Sequence, residues 1–522
     1  KAEVDLLWNG GIGTYVKSTR ETHADVGDKA NDRVRIDADE LHCRVIGEGG
    51  NLGITQSARV EYSALGGLIH LDAIDNSGGV DLSDHEVNLK ILLQPVVASG
   101  RISPENRNDL LTRVGDGICD TVLQNNYSQA LALSLDVVRS RRDIWAFVRA
   151  TDFLRNALGF KRHQERLPRR IVEIEKRLQG EQGYFRPELG KLLAFVKRHV
   201  YQALVEQPLG SMESLRPWLE VYFPQEVVEK VPDDLEGHML AIEIAATLQT
   251  NHIIDQAGIA FFCDMMTVTE RSAPDVATAY LIGEDILDAR SLRTEIAAAD
   301  NLSATEVYDA LLAVEESLAD ITRWILELNP NQLSLEMLNE ISDVRAVAKD
   351  IDDRWRQVLP VHVTRDLQQQ AHARIAAGLD ARTARRIACL PAIVQSVPIA
   401  AMAQEGIPGD IATAYFAVGY GSRVIGLVEA ISRQLYRNNW DWIAATAIQR
   451  SLFKSLRRLV GFLAKSPGRA LTHAQIQDRL DEHEGLSALR RDLEGILAGS
   501  VPVSAMYVIS ERFKSRVRAL SE

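Results

Sequence analysis

The chain has 522 residues, and a typical domain length of about 150 residues predicts roughly two to four domains. Its formal net charge of −13 argues against general binding to a nucleic-acid backbone, which requires a basic face. No apolar run reaches the roughly 18 residues that cross a bilayer, and a composition of 46% hydrophobic and 25% charged residues is typical of a soluble globular protein.

The cysteines and the N-terminal residues predict a cytoplasmic protein. The cysteines are far apart and form no pair at zinc-ligand spacing, so we interpret them as reduced thiols: Cys43, Cys119, Cys263 and Cys389. Neither a signal peptide nor a transit peptide is recognisable. The first residues, KAEVDLLWNGG, already have the pattern of a strand and a glycine turn, and we therefore expect Lys1 to be an internal position of a longer polypeptide.

Short apolar runs that end in polar, glycine-bearing turns dominate the first hundred residues. The runs VDLLWNGG, CRVIGEGGN and LIHLDAIDNSGG predict three strands. Between the second and third, Ala58, Tyr62 and Leu65 share one face of a predicted helix, which Gly66 and Gly67 end. A strand, helix, strand unit with short connections predicts a parallel sheet.

After about residue 104 the apolar residues fall three and four positions apart, which predicts an all-helical region of about 400 residues. Two stripes illustrate the pattern: Leu110, Leu111, Val114, Ile118 and Val122, and then Leu311, Leu312, Leu318, Ile321, Trp324 and Ile325. Breaks are predicted at GEQGYFRPELG, EQPLGSMESLRPW, PNQLS and AKSPGRALT. The predicted domains are residues 1–103 and 104–522, the latter with room for two subdomains.

The polar turns are the candidate ligand-binding segments, since ligands of doubly wound sheets lie across the carboxyl ends of the strands. Asn51 in EGGNLGIT could offer its amide to a ribose hydroxyl or a carboxamide. Asn76 is predicted at the end of the third strand, where Gly78 and the glycine after it allow the backbone to approach a ligand. Ser83 is predicted at a helix start, either as the first residue of a capping box with Glu86 or as a carboxylate contact.

These turns resemble motifs of the glutamate, leucine, phenylalanine and valine dehydrogenase superfamily. EGGNLGIT resembles the EGANxPT turn of that superfamily, and NSGGVDLSDHE resembles its NAGGVxxSxxE segment, in the same order. The resemblance to the bacterial large-subunit NAD-specific glutamate dehydrogenases is closer and extends over DLLWNGGIGTYVKS, VGDKANDRVRI and residues 44–90. It implies an α/β Rossmann-like remnant, the end of a nucleotide-binding domain, followed by a large all-α C-terminal extension.

The resemblance also implies roles for single residues. Asn51 and Asn76 would face the nicotinamide of NAD, Asn76 would approach the substrate as well, and Ser83 would contact the side-chain carboxylate of glutamate. Asn9 in the first turn would line the cofactor cleft. The chain departs from the smaller family members by having Gly50 for Ala, Leu52 and Gly53 in place of a proline-bearing turn, and Ser77 for Ala.

Some parts of a dinucleotide site are absent from the sequence. GGIGTY and GEGGNLG do not have the GxGxxG spacing that holds a pyrophosphate, and the acidic ribose-binding residue expected about 20 positions later is also missing. The catalytic lysine and aspartate that the resemblance implies are expected upstream of Lys1. The fragment alone is therefore expected to be inactive.

Three further segments have simpler interpretations. The arginine-rich stretch from Arg139 to Arg170 is interpreted as a solvated helix face or a subunit contact. The residues His238, Glu243, His252 and Asp255 form no metal motif and are predicted at the surface, without a metal. The run 410–436 is apolar on more than one face and predicts one buried helix, packed against neighbouring helices or another subunit.

The first hypothesis for the full-length protein is a homo-oligomeric cytoplasmic enzyme that deaminates L-glutamate oxidatively to 2-oxoglutarate and ammonia with NAD. The alternatives are a helical assembly or regulatory module without catalysis of its own, and a sibling dehydrogenase for a branched or aromatic amino acid.

Overall fold

The computed structural model describes residues 3–168, 170–329, 331–405, 410–464, 472–497 and 502–521. It forms two compact units, Lys1–Asp264 and Met265–Glu522. In the described residues every strand precedes His70, and helices make up most of the chain after it. The predicted change from strands to a large helical region is therefore confirmed, whereas the domain boundary at residue 103 stays a prediction.

The strands of the first unit are short and parallel. They are β1 (Leu6–Asn9), β2 (Val16–Lys17), β3 (Ile36–Asp37), β4 (Val45–Glu48) and β5 (Leu68–Ile69). One sheet has the order β1-β4-β5, and β2 pairs with β3 in a second sheet. The centre of the larger sheet is β4, in which Val45 lies opposite Leu6 of β1 and Ile46 lies opposite Ile69 of β5.

The helix between β4 and β5 confirms the predicted strand, helix, strand unit. It is α2, Gln56–Ala64, after α1 at His23–Val26. The Thr55 side chain accepts a hydrogen bond from the Ala58 amide at 3.1 Å and so caps the helix. Ala58 and Tyr62 lie on one buried face of the helix, but Leu65 is the residue after its last turn and is exposed, so the prediction that Leu65 shares this face is wrong.

The other helices of the first unit carry its larger core. They are α3 (Asp72–Asp75), α4 (Ser77–Ala98), α5 (Pro104–Arg142), α6 (Ile144–Leu158), α7 (Ile171–Gln179), α8 (Arg186–Glu206), α9 (Met212–Tyr222), α10 (Gln225–Lys230), α11 (Ala241–Ala257) and α12 (Ile259–Thr269), which runs past the end of the unit. The α5 helix begins after the cap Ser103, with Pro104 in its first turn. Most of its predicted stripe is buried against α4, α9 and α10, while Leu111 is partly buried.

The second unit is helical throughout its described part. Its helices are α13 (Ala273–Leu287), α14 (Ala289–Ala297), α15 (Ala304–Leu328), α16 (Ser342–Val358), α17 (Val361–Ala377), α18 (Ala381–Ile393), α19 (Ser396–Gln404), α20 (Ile411–Gly421), α21 (Val424–Arg433), α22 (Asn439–Ala464), α23 (His473–Glu482), α24 (Glu484–Leu497) and α25 (Val503–Ser521). The predicted stripe on α15 is buried. Three predicted breaks fall between helices, although Pro217 lies inside α9, and most of AKSPGRALT lies outside the described residues.

The apolar run 410–436 forms two helices, α20 and α21, and its prediction as one helix is wrong. The chain turns at Arg423, which has a φ of +66°. The predicted burial is confirmed, since all residues from Ala412 to Gly419 are buried. Within the described residues no single helix has the length and apolar character to cross a membrane; only two bent helix pairs, α18 with α19 and α20 with α21, meet those criteria jointly.

Several arginines of the stretch from Arg139 to Arg170 make ion pairs within the first unit. Arg139 contacts Asp136 at 2.9 Å, and Arg162 contacts Asp152 at 3.0 Å. These arginines are paired with carboxylates of the same unit, while the interpretation of the stretch as a solvated helix face or a subunit contact stays a prediction.

Candidate functional site

The three predicted polar turns lie together at the carboxyl ends of β1 and β4. The Asn76 side-chain nitrogen Nδ2 donates a hydrogen bond to Asn51 Oδ1 at 3.2 Å. The backbone oxygen of Asn9 accepts from the amides of Gly49 and Gly50 at 2.9 and 3.1 Å. The structure therefore brings together segments separated by about 25 residues in the sequence, at the edge of the sheet where parallel strands present ligand-binding loops. Asn51 and Asn76 are called the asparagine pair below.

The loop that carries Asn51 is held by hydrogen bonds on both sides of Leu52. The Leu52 amide donates to Asp72 Oδ2 at 2.8 Å, and the Leu52 carbonyl accepts from Thr14 Oγ1 at 2.7 Å. Leu52 has a φ of +62°, a left-handed conformation that costs a non-glycine residue about 1 kcal/mol or more. These contacts hold the strained turn in one conformation, with the Asn51 side chain exposed.

The Asn9 side chain packs against this loop at Gly53. Its Nδ2 is buried without a hydrogen-bond partner among the described residues, and it lies against Gly53, where an added Cβ would overlap it. A Cβ on Gly50 would overlap the carbonyl oxygen of Gly11. The glycine that replaces the alanine of the smaller family members therefore allows the first and second turns to touch.

Asn76 lies between two helices rather than at the end of a strand, so its predicted placement is wrong. It follows α3 and precedes α4, and the third strand is only Leu68–Ile69. The reason is local: the Asp72 carboxylate accepts a hydrogen bond from the Ala73 amide at 2.9 Å, which favours a helical turn over an extended chain. Leu71 and Ile74 are buried beside this turn.

Gly78 and Ser83 both lie on α4. Gly78 is in its first turn, backed by Val122 of α5. Ser83 is an exposed residue inside the helix, so the prediction that it starts a helix and caps it with Glu86 is wrong. Ser83 is seven positions after Asn76, in the second turn of the helix that Asn76 directly precedes, about 10 Å farther along the helix axis.

A buried charge cluster, which the sequence reasoning missed, lies behind the asparagine pair. Arg59 donates from Nε and Nη2 to the two carboxylate oxygens of Glu48 at 2.7 and 2.9 Å. Arg59 Nη2 is also 3.2 Å from Asp72 Oδ2. Asp75 Oδ2 accepts from the Glu48 amide at 3.0 Å. The cluster is formed by Glu48, Arg59, Asp72 and Asp75: the guanidinium contacts the carboxylates of Glu48 and Asp72, and the carboxylate of Asp75 is joined to them through the Glu48 amide.

Burial shifts the Glu48 and Asp75 carboxylates toward their neutral forms. The pKa of Asp75 is raised to about 6, mainly by burial; the charges of Glu48 and Asp72 act in the same direction, while the hydrogen bond from the Glu48 amide and the charge of Arg59 oppose the rise. Burial likewise raises the pKa of Glu48, against the two hydrogen bonds from Arg59. The only sequence signal was Glu48 itself, a charged residue at the end of an apolar strand.

We expect Asp75→Asn to stabilise the protein at pH 7 by about 1–3 kcal/mol, at 1.36 kcal/mol for each unit of pKa shift. The pKa of Asp75 is about 6 in the folded protein against a usual value of 3.8, so the folded state favours the protonated carboxyl. The stability that this proton contributes is fully present below about pH 4 and is lost as the pH rises through 6, whereas asparagine is neutral at every pH and does not lose it. Asparagine keeps the acceptor for the Glu48 amide. Urea unfolding at pH 4 and 7 checks this: the two proteins should be equally stable at pH 4, and a variant that is less stable at both values would contradict the prediction.

The predicted surface cluster around His238 is partly wrong. His238 is buried and its Nε2 lies 3.1 Å from the Asn88 carbonyl oxygen, while Asp255 is buried and contacts Lys197 at 2.6 Å. Both residues are packed in the core of the first unit, since their partners lie on neighbouring helices. In the described ranges no group of three or more His, Cys, Asp or Glu side chains is arranged to hold a metal ion.

Known proteins similar to this chain are glutamate dehydrogenases. Residues 1–136 match the family model described as "Bacterial NAD-glutamate dehydrogenase, catalytic domain", and residues 181–512 match the one described as "Glutamate dehydrogenase, C-terminal". Curated relatives named NAD-specific glutamate dehydrogenase are 35% identical in Pseudomonas aeruginosa and 33% identical in Halomonas elongata, each over 98% of this chain. The relative of that name from Mycobacterium tuberculosis is 30% identical over 99% of the chain. Each match covers 32% of the relative, so the chain spans about a third of the length of these proteins.

Proposed function

This chain belongs to the bacterial NAD-glutamate dehydrogenase family, and we propose that within a longer enzyme it supplies part of the site for NAD and L-glutamate. The reaction is the oxidative deamination of glutamate to 2-oxoglutarate and ammonia. The observation that carries the proposal is the hydrogen bond between the asparagine pair, 3.2 Å long, at the carboxyl ends of a parallel sheet.

The polar groups of the asparagine pair fit a nicotinamide carboxamide. After Asn76 has donated to Asn51, the Asn51 side chain still has its N–H donors and the Asn76 side chain still has its oxygen acceptor. A primary carboxamide offers one acceptor oxygen and one donor nitrogen, so it can bind to both residues at once. The chemistry that NAD supplies when bound is acceptance of the hydride that leaves the α carbon of glutamate.

The proposed role of this chain in the reaction is to bind and orient. Ser83 offers a hydroxyl to the side-chain carboxylate of glutamate from an exposed position on α4, the helix that Asn76 directly precedes. The first turn of α4, which includes Gly78, adds the partial positive charge of a helix N-terminus. Alignment of the two reactants is itself a large part of such catalysis. No residue of this chain is proposed for proton transfer.

The same proposal includes the division of the chain into domains, the role of Asn9, the oligomeric state and the cellular location. Residues 1–103 would be the end of a Rossmann-like NAD-binding domain, which the parallel order β1-β4-β5 supports, and residues 104–522 would be the helical extension. Asn9 would shape the cofactor cleft by supporting the Asn51 loop rather than by direct contact, since its Nδ2 is buried. A homo-oligomer in the cytoplasm remains part of the proposal.

A titration of NAD into the full-length protein tests the assignment. We expect Asn51→Ala and Asn76→Ala each to weaken NAD binding about tenfold, which corresponds to one lost hydrogen bond of about 1.4 kcal/mol. Asn106→Ala, at an exposed asparagine at the start of α5, is the matched control and should bind NAD normally.

The same variants distinguish the alternatives. Unchanged NAD affinity and unchanged glutamate turnover in both would refute the proposed site and favour a helical assembly or regulatory module. A preference for leucine or phenylalanine over glutamate would indicate a sibling dehydrogenase.

A further inference from the structure

The buried charge cluster connects the two segments that carry the asparagine pair. Asn51 directly precedes Leu52, whose amide donates to Asp72 at 2.8 Å. Asn76 directly follows Asp75, which accepts from the Glu48 amide at 3.0 Å. Each asparagine is therefore adjacent in the chain to a residue that the cluster holds.

Arg59 links these two attachments. Its guanidinium binds Glu48, at the end of β4, through two hydrogen bonds and also lies 3.2 Å from Asp72, at the start of α3. Arg59 and Glu48 are almost fully buried. A planar guanidinium that contacts two carboxylates fixes their separation and their mutual orientation more strictly than a flexible ammonium does.

We propose that Glu48, Arg59, Asp72 and Asp75 form a positioning unit that sets the spacing and orientation of Asn51 and Asn76 for the bound reactants. The inference rests on the proposed function of the asparagine pair. Asp72 is its central member, because one oxygen contacts both Arg59 and the Leu52 amide while the other accepts from the Ala73 amide. Asp72 is thus the residue through which the strained Asn51 loop is tied to the helical turn before Asn76.

The arrangement differs from a cluster that only stabilises the fold. Leu52 has a φ of +62°, so its loop is held in a conformation that it would not adopt by itself. Strain of this kind persists where surrounding contacts enforce it, and the Asp72 carboxylate enforces it here together with the Thr14 hydroxyl. Loss of that contact should let the loop relax and move Asn51 away from Asn76, and small displacements of positioned groups cost large factors in rate.

A double-mutant cycle in the full-length enzyme tests the proposal. We expect Asp72→Asn to lower kcat/KM for glutamate about tenfold, mainly through kcat. Added to Asn51→Ala, the same substitution should lower kcat/KM less than twofold further, because Asp72 holds the Asn51 loop through the Leu52 amide and that loop then carries no side-chain amide to position. Independent effects that multiply in the double variant would overturn the proposal, as would full activity of Asp72→Asn.

A control and a second variant separate positioning from folding. Asp136 is a buried carboxylate that contacts Arg139 at 2.9 Å on α5, and Asp136→Asn should have an effect on kcat/KM that is the same with and without Asn51→Ala. If Asp72→Asn does not fold, Arg59→Lys replaces it, since lysine keeps the charge but loses the two-point contact with Glu48, and the same non-additivity is expected. Additivity for Arg59→Lys would overturn the proposal as well.

Failure of the proposed function gives a different result. Wild-type kcat/KM in Asn51→Ala and Asn76→Ala would refute the site itself. Reduced kcat/KM in those variants, together with additive effects of Asp72→Asn, would leave the site in place and refute only the positioning unit.

Discussion

Arg293→Met is expected to destabilise the second unit by about 3–5 kcal/mol, the usual cost of removing one partner from a buried ion pair. Arg293 of α14 donates from Nε to Glu315 of α15 at 2.7 Å and also binds Glu284 of α13. Its Nη2 donates to the Tyr280 hydroxyl at 2.6 Å. Without the guanidinium, the buried Glu284 and Glu315 carboxylates lose the cation that lies between them, and they repel each other where α13 meets α15.

Arg290→Met is the matched control for this experiment. The Arg290 Nε is 2.6 Å from the same Glu284 carboxylate, but 62% of the Arg290 side chain is exposed, so we expect a loss of less than about 1 kcal/mol. Amide hydrogen exchange in α13 and α15 measures both variants and reports on this unit specifically. Equal losses of stability for Arg290→Met and Arg293→Met would show that burial of Arg293 does not increase its contribution to the stability of the unit.

The sheet and the contact between its loops were predictable because their signals are local. An apolar run that ends in a glycine turn identified the residues of β1 and β4, and one helix between two strands predicted a parallel pair. Since parallel strands present their carboxyl ends at one edge, the meeting of Asn51 with Asn76 followed from topology. The structure confirms this proximity, while the ligand contacts of both residues stay predictions.

The errors near the site arise where hydrogen bonds within a segment and its packing against the rest of the fold together override its apolar pattern. The run LIHLDAIDN alternates like a strand, yet Leu71 and Ile74 both pack inward and Asp72 satisfies the Ala73 amide, so the chain turns into α3. Ser83 with Glu86 has the spacing of a capping box, but the helix already begins at Ser77. In such cases the packing of the segment, rather than its pattern, decides where a helix begins.

The buried charge cluster was not predictable from the sequence. Glu48, Arg59 and Asp72 are separated by 11 and 13 residues, and nothing in their spacing distinguishes them from exposed charges. Their interaction requires that α2 packs against β4 and that the start of α3 lies beside the Asn51 loop. Buried ion pairs between residues distant in the sequence can be identified only once the fold is known, because charged residues are usually exposed and each one is therefore predicted at the surface.

Arg59→Met is expected to destabilise the first unit by about 3–5 kcal/mol at pH 7, and by clearly less at pH 5. The substitution leaves Glu48, Asp72 and Asp75 close together without their cation. At pH 5 Asp75, whose pKa burial raises to about 6, is mostly neutral in the folded state, and the raised pKa of Glu48 shifts it in the same direction. Repulsion is therefore relieved at pH 5 and returns as the pH rises through 6.

Hydrogen exchange of the amides in β4 and α2, corrected for the intrinsic exchange rate at each pH, measures this difference. Arg59→Lys is the control: it keeps the positive charge, so its stability should change less than that of Arg59→Met between pH 5 and 7. An equal loss for Arg59→Met at both values would mean that the guanidinium stabilises the unit by packing alone. A loss that grows with pH would show that Arg59 offsets the repulsion among the carboxylates of the cluster as they ionise, and the same electrostatic restraint ties the loop of Asn51 to the turn of Asn76.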